Sequence, residues 1–261
     1  MAKNSPSPII VPETPNVSLV SFYGKKPPDF EALLLLLQGY LSNELLRQFT
    51  PLPLPQIHGT LLGCEGGKTP QGILSQWFLK KRNQQRQINL AGLIDAVDQF
   101  EKLSVQIRLA GYHATIDYGF KSREQHPYFR SFQFQNRKAV LRGWPFYQSR
   151  FPEDIGNFRD SAQTVNVLHK HQPQKGVDND FYLRIGNVDS DIPESKLAAI
   201  ETKIQEFLRI QSPLLLTLNQ SSIAFVQYQD LSLPPQTTQS FPIQAITVET
   251  LAQLYPEATY A

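Results

Sequence analysis

The spacing of apolar and polar positions changes period repeatedly along this 261-residue chain, and each change marks an element. Val17-Ser-Leu-Val-Ser-Phe-Tyr23 alternates in part and stops at Gly24, which predicts a strand. Pro28 and Asp29 open a helix running to about Gln48, with leucines filling one face, until Pro51, Pro53 and Pro55 break it. Gln56 to Gly63 reads as a second strand, Gly63, Gly66 and Gly67 as a turn, and Pro70 to Lys81 as a short helix. Asn89 suits an N-cap for a helix over Leu90 to Lys102, with Leu93, Val97 and Phe100 on one face. Leu103 to Ala110 alternates as a strand. Phe129 to Phe134 and Lys138 to Arg142 are extended, before Gly143-Trp144-Pro145. Phe151 to His171 is expected to be mostly helical. Phe181 to Val188 is a strand, and Pro193 sits in the first turn of a helix to Arg209. Pro213 to Leu218 and Ser222 to Tyr228 are strands, and Val248 to Leu254 is a weak helix.

The order is therefore β-α-β, a middle of helix and hairpin, then β-α-β-β, an α+β pattern of two similar halves. Residues 1–15 are rich in Pro and Ser and are expected to be disordered, 16–245 to form the folded domain, and 246–261 to be a C-terminal tail.

Composition narrows the class. Hydrophobic residues make up 41% of the chain, enough for a core, while charged residues are only 18%; 26 Gln and 20 Pro carry much of the polar balance. Collagen, coiled coil and full disorder are excluded. The single cysteine, Cys64, excludes a disulfide framework and a cysteine-based zinc site. The start of the sequence has no apolar stretch of signal length, and the longest apolar run, Ala32 to Leu37, is six residues. A cytoplasmic protein without membrane contact is the expectation. The net charge of +2 hides an asymmetry: residues 66–150 hold fourteen Lys/Arg against five Asp/Glu. Such a basic middle suits a polyanion such as RNA or a nucleotide, and suits a plain solvated face equally well.

Candidate chemistry centres on Gln56-Ile57-His58-Gly59-Thr60-Leu61. On a strand, His58 and Thr60 leave the same face, an imidazole that can carry a proton beside a hydroxyl that can donate to a phosphoryl oxygen. A second such triplet, His113-Ala114-Thr115, follows the Leu103–Ala110 strand and reaches the first only if its hairpin folds over it. Residues 121–131 pack Arg123, His126 and Arg130 among aromatics, with Trp144 downstream, a composition for phosphate contact and base stacking or for a basic surface hairpin. His169 and His171 fall at a predicted helix end, where basic residues favour the helix C-terminus, and no ligand role is assigned to them. Gly66-Gly67-Lys68-Thr69 lacks the spacing of a phosphate loop, because position 62 is Leu.

A strand, an amphipathic helix and then His58-Gly-Thr60-Leu on the next strand resembles the first lobe of the 2H phosphoesterases, which include RNA 2′-5′ ligase-like proteins and cyclic phosphodiesterases. Phe181 to Val188, the following helix and Ser222 to Pro234 resemble the second lobe, so the resemblance covers roughly residues 17–245. It implies two pseudo-symmetric β-α-β lobes with antiparallel sheets around a central cleft, each giving an H-x-[ST]-x motif. It implies action on a phosphodiester in RNA ends or small nucleotides of the 2′,3′-cyclic type, with His58 as proton carrier, Thr60 as phosphate donor, and no metal or other cofactor. The second motif departs from the family: its register holds Tyr182-Leu183-Arg184-Ile185, with Tyr for His and Arg for Thr. Tyr182, with an ordinary pKa near ~10, is a poor proton relay at neutral pH, whereas the Arg184 fork can hold a phosphate. The rival expectations are a catalytically inactive relative that binds RNA or nucleotide in the same cleft, and an interaction protein with no nucleic-acid role.

Overall fold

The computed structural model describes residues 9–172 and 176–260. In chain order the elements are β1 (Ile9–Ile10), β2 (Asn16–Ser21), α1 (Pro28–Leu45), β3 (Phe49–Pro51), β4 (Gly59–Gly63), β5 (Gly66–Thr69), β6 (Gly72–Ser75), α2 (Gln76–Arg82), α3 (Leu90–Lys102) and β7 (Gln106–Leu109). There follow α4 (Pro127–Arg130), β8 (Phe132–Gln135), β9 (Lys138–Pro145), α5 (Asp154–Ala162), β10 (Phe181–Val188), α6 (Glu194–Ile210), β11 (Leu214–Thr217), β12 (Ile223–Tyr228), β13 (Thr238–Pro242), α7 (Val248–Gln253) and β14 (Thr259–Tyr260). This is a mixed α+β fold. Among the described residues no helix is long and apolar enough to cross a membrane.

One ten-stranded sheet organises the chain in the order β11-β7-β9-β10-β4-β2-β12-β13, with β3 also on β10 and β8 on β9. Every pairing in it is antiparallel. Alternation sorts its two faces. Phe181, Leu183 and Ile185 of β10, Val17 and Leu19 of β2, and Ile223 and Phe225 of β12 join the main core beneath the helices. Their neighbours Tyr182, Arg184, Ser18, Val20 and Tyr228 face the other way, into a pocket. The leucines of α1 that point inward, Leu34, Leu37 and Leu41, are fully buried in the same core. The α3 helix begins at Asn89, whose side chain accepts from Gly92 N–H, as its sequence predicts.

Several expectations are corrected: Gly66 and Gly67 belong to β5, Phe129 and Arg130 to α4, and the helix expected over 151–171 is confined to Asp154–Ala162 and a short turn to Val165. The stretch over Pro70 to Lys81 is a β5–β6 hairpin followed by α2, because Gly72 takes φ +133° and closes a turn where the helix was expected to start. The described part of the N-terminal segment is ordered: β1 pairs with β14 near the chain's other end, and Val11 is buried. The first eight residues of that segment lie outside the described set. The tail is likewise packed, with Leu251, Leu254 and Tyr255 in the core.

Gly59 sits opposite Leu183 where β4 meets β10, and a Cβ there would stand 2.3 Å from the Phe181 ring. Gly59→Ala should therefore push Phe181 off its seat and lower stability by about 1–3 kcal/mol in a urea melt. An unchanged midpoint would mean that the ring moves aside freely.

Candidate functional site

The pocket face of β4 is shaped by a bulge. Val20 pairs with Thr60 and Leu19 with Leu62, so Leu61 is the extra residue. The bulge resets the alternation, and His58, Thr60 and Gly63 all line the pocket while Leu62 turns into the core. The carbonyls it displaces from the ladder are taken up by one buried side chain: Arg159 of α5 donates from Nη2 to Thr60 O at 2.9 Å and from Nε to Leu61 O at 2.9 Å.

Across the sheet, Leu183 is opposite Gly59 in an antiparallel pair. That pairing brings the His58–Thr60 stretch alongside Tyr182–Arg184, and the Arg184 charge acts on His58. All four side chains line one pocket of about 240 Å³. The two motif positions read from the sequence are thus side by side.

His58 has a fixed tautomer. Its Nδ1 lies 2.6 Å from Gln56 O, which only accepts, so Nδ1 carries the hydrogen and Nε2 keeps the lone pair. Burial, with the Lys26 and Arg184 charges adding to it, lowers its pKa to about 4 against the pull of the Gln56 bond. The imidazole is a neutral base at ordinary pH. The Thr60 hydroxyl has no hydrogen-bond partner among the described residues and is free to donate. Arg184 braces on Asn187 through its guanidinium Nε at 2.9 Å. Burial pushes the Tyr182 phenol above its usual value, although Arg142 and Arg184 pull the other way.

Behind Tyr182 lies a buried ionic cluster. Asp180 accepts from Arg130 Nη2 at 2.7 Å, from Ser122 Oγ at 2.6 Å and from Trp144 Nε1 at 2.8 Å. Burial alone would raise this carboxyl; Arg130, helped by Ser122, Arg142 and Trp144, holds it below its usual value. Arg142 is wholly buried, its guanidinium carbon 5.4 Å from the Tyr182 ring centre, and burial followed by the Arg130 charge lowers it to about 10. Its Nε finds no hydrogen-bond partner among the described residues, and Asp180 Oδ2 stands 3.6 Å away. In total the pocket wall carries seven Lys/Arg against Glu65, Asp178 and Asp180, which makes it a site for anions.

The far end was not legible in sequence. His169, read as a basic helix end, is 3% exposed in a turn after α5 and lines the same pocket, as does the more open His171. Burial, then Arg159 and other cations, lowers His169 well below the usual histidine value. Glu65, also missed, accepts from Trp77 Nε1 at 2.7 Å and from Tyr228 Oη at 3.2 Å. Its only advance signal was a carboxylate two residues past the strand end. Among the described residues no three His, Cys, Asp or Glu side chains gather as a metal site.

Neutral burial of His58 and His169 ties stability to pH. The unfolded chain takes up these protons near pH ~6.5, whereas folded His58 resists until about 4. The unfolded state binds more protons between those values, so stability is complete above ~6.5 and falls as pH drops toward 4. Urea midpoints at about pH 7.5 and about pH 4.5 should show the fall, and His58→Gln should reduce it. Equal midpoints in the parent would refute it.

Other sequence candidates are dispersed. Arg123 and Arg130 line the pocket. His113 and Thr115 do not: the chain leaves β7 by a turn at Gly111, with φ +70°, and β9 and β10 separate β7 from β4. No strand forms there, so the two side chains have no shared face to present. His126 caps α4, its Nδ1 accepting from Tyr128 N–H at 3.2 Å while Nε2 meets Ile116 O at 2.8 Å, outside the pocket. Trp144 is fully buried edge-on to Tyr112 at 5.1 Å, so it braces Asp180 and offers no stacking face.

No family model matches the chain, and no curated protein matches it. Among solved structures it is similar to the crystal structure of a protein of Thermus thermophilus, TT0787. The two are 14% identical over 89% of this chain and all of that one, with a TM-score of 0.38, an overlap on which no functional argument rests.

Proposed function

We propose that this pocket takes a phosphodiester in an RNA end or a small nucleotide, of the 2′,3′-cyclic phosphate type, and that His58 is its proton carrier. In this reading the strand–helix–strand units around β4 and β10 are the two lobes of a 2H phosphoesterase-like fold. The observation that carries it is the His58 tautomer: a neutral imidazole with its Nε2 lone pair free, in a pocket whose charge suits a phosphate. Thr60 and Arg184 donate to the non-bridging oxygens. A water attacks phosphorus while His58 Nε2 takes its proton. The bond from phosphorus to one ribose oxygen breaks, and that oxygen takes a proton from the Tyr182 phenol or from solvent.

A second reading has its own support. The Tyr182 phenol is pushed above its usual value, which makes it a weak proton donor to a leaving oxygen. On that ground the same pocket binds the phosphodiester without turning it over. The test is incubation of the protein with uridine 2′,3′-cyclic phosphate beside His58→Ala, followed by chromatography of the products. Turnover in the parent and loss in the variant supports the enzyme. Salt-sensitive binding without turnover supports the binder, since neutralised phosphates release counterions. Neither binding nor turnover ends both readings.

A further inference from the structure

The pocket wall formed by β4 and the residue just before it runs from His58 to Gly63, a span of roughly 15 Å at the usual rise of a strand. The two ends carry histidines with opposite hydrogen-bonding character. His58 keeps its lone pair on Nε2. At the other end the Gly63 N–H donates to His169 Nδ1 at 3.1 Å, so His169 must carry its hydrogen on Nε2. That N–H has no partner among the described residues and belongs to a side chain lining the pocket.

Cations gather around it. Arg159 is held by the β4 bulge through Nε and Nη2, and its Nη1 donates to Asp178 O at 2.7 Å and Asp180 O at 3.3 Å, so it contributes charge more than open hydrogen bonds. Arg123, half exposed, reaches Asp178 at only 3.8 Å. Lys170 stands 5.3 Å from the Trp77 ring centre. Against these three cations are Asp178 and Glu65, and both Glu65 oxygens are already engaged by Trp77 and Tyr228. Hydrogen bonds reach about 3 Å, so one phosphoryl group cannot touch both ends of the strand.

We propose that the Gly63–His169 end is a second anion subsite, with Arg123, Lys170 and the His169 Nε2–H as its donors and the buried Arg159 adding positive charge behind them. The pocket then takes a short nucleotide chain with two separated phosphoryl groups in preference to a mononucleotide. The placing of the first phosphate rests on the function proposed above; the second subsite stands on its own donors.

The test is calorimetric titration with four probes: diuridine ending in a 2′,3′-cyclic phosphate, with and without a 5′-phosphate, and plain diuridine, with and without a 5′-phosphate. In each pair the 5′-phosphate should tighten binding by about tenfold or more. It should also steepen the slope of log K against log salt by about 0.7 for each charge neutralised. The Arg123→Ala/Lys170→Ala double variant, altered at the open rim and checked by thermal melt, should erase the difference within each pair. Equal affinity with and without the 5′-phosphate overturns the second subsite, whatever the cyclic phosphate does. A 5′-phosphate effect without any contribution from the cyclic end would keep the subsite and remove the placing of the first phosphate at His58. No binding of any probe overturns both.

Discussion

Asp180→Ala should lower the unfolding free energy by about 3–5 kcal/mol, the cost of removing one partner from a buried ion pair. Asp180 is 7% exposed and faces Arg130 at 2.7 Å and Arg142 at 3.6 Å, both of them buried. Without it, two guanidinium groups lose their counter-charge in a place that water barely reaches. Asp178 cannot stand in, because it already faces Arg159 and Arg123. Ser122 and Trp144 would lose their acceptor as well, leaving further buried donors unpaired. For a chain of this size the melting temperature should fall by about 6–20 °C. Asp180→Asn keeps a carbonyl oxygen for Trp144 or Ser122 and should fall between parent and Ala. A loss below about 1 kcal/mol would show that the cluster is hydrated and its charges are not relying on one another.

His58→Ala carries the largest expected effect on chemistry. If turnover occurs, removing the base should slow it by about 10²–10⁴-fold, the usual contribution of a positioned proton acceptor. The pH profile gives a sharper signature. Free His58 titrates at about 4, so kcat/KM should be flat through neutral pH and decline only on the acid side. A bound phosphate anion favours the charged imidazole, so the acid limb of kcat should lie at higher pH than that of kcat/KM. Coincident limbs, or a His58→Ala rate within about twofold of the parent, would take the proton transfer away from this residue.

Much of the site was readable because strands repeat every two residues. His58 and Thr60 were assigned to a shared face from spacing, Tyr182 and Arg184 were singled out by the resemblance, and all four line one pocket. His113 and Thr115 could reach that site only if their segment folded over it, and the chain instead turns at Gly111 and forms no strand there. Pro70 to Lys81 failed for a related reason: its apolar positions fit a helix, yet the Gly72 turn and pairing of β5 with β6 made a hairpin. Local pattern cannot weigh a cross-strand partner that pattern does not contain. His169 is the opposite case. It was read as a basic residue at a helix end, and its bond to Gly63, 106 residues earlier, holds it as a buried pocket donor.

By itself the sequence determined the α+β class, the N-cap and extent of α3, the extent of β10, the shared face of His58 and Thr60, and the basic middle that supplies Arg123, Arg130, Lys138 and Arg142 to the wall. These follow from local rules: period, capping and charge. Only the tertiary structure decided that Leu61 is a bulge, that Arg159 satisfies its carbonyls, that the Asp180 cluster is buried, and that His58, just before β4, and His169, against its last residue, take opposite tautomers. Those depend on which backbone groups are left unpaired once the strands are in register, and that is settled by contacts between residues far apart in the chain.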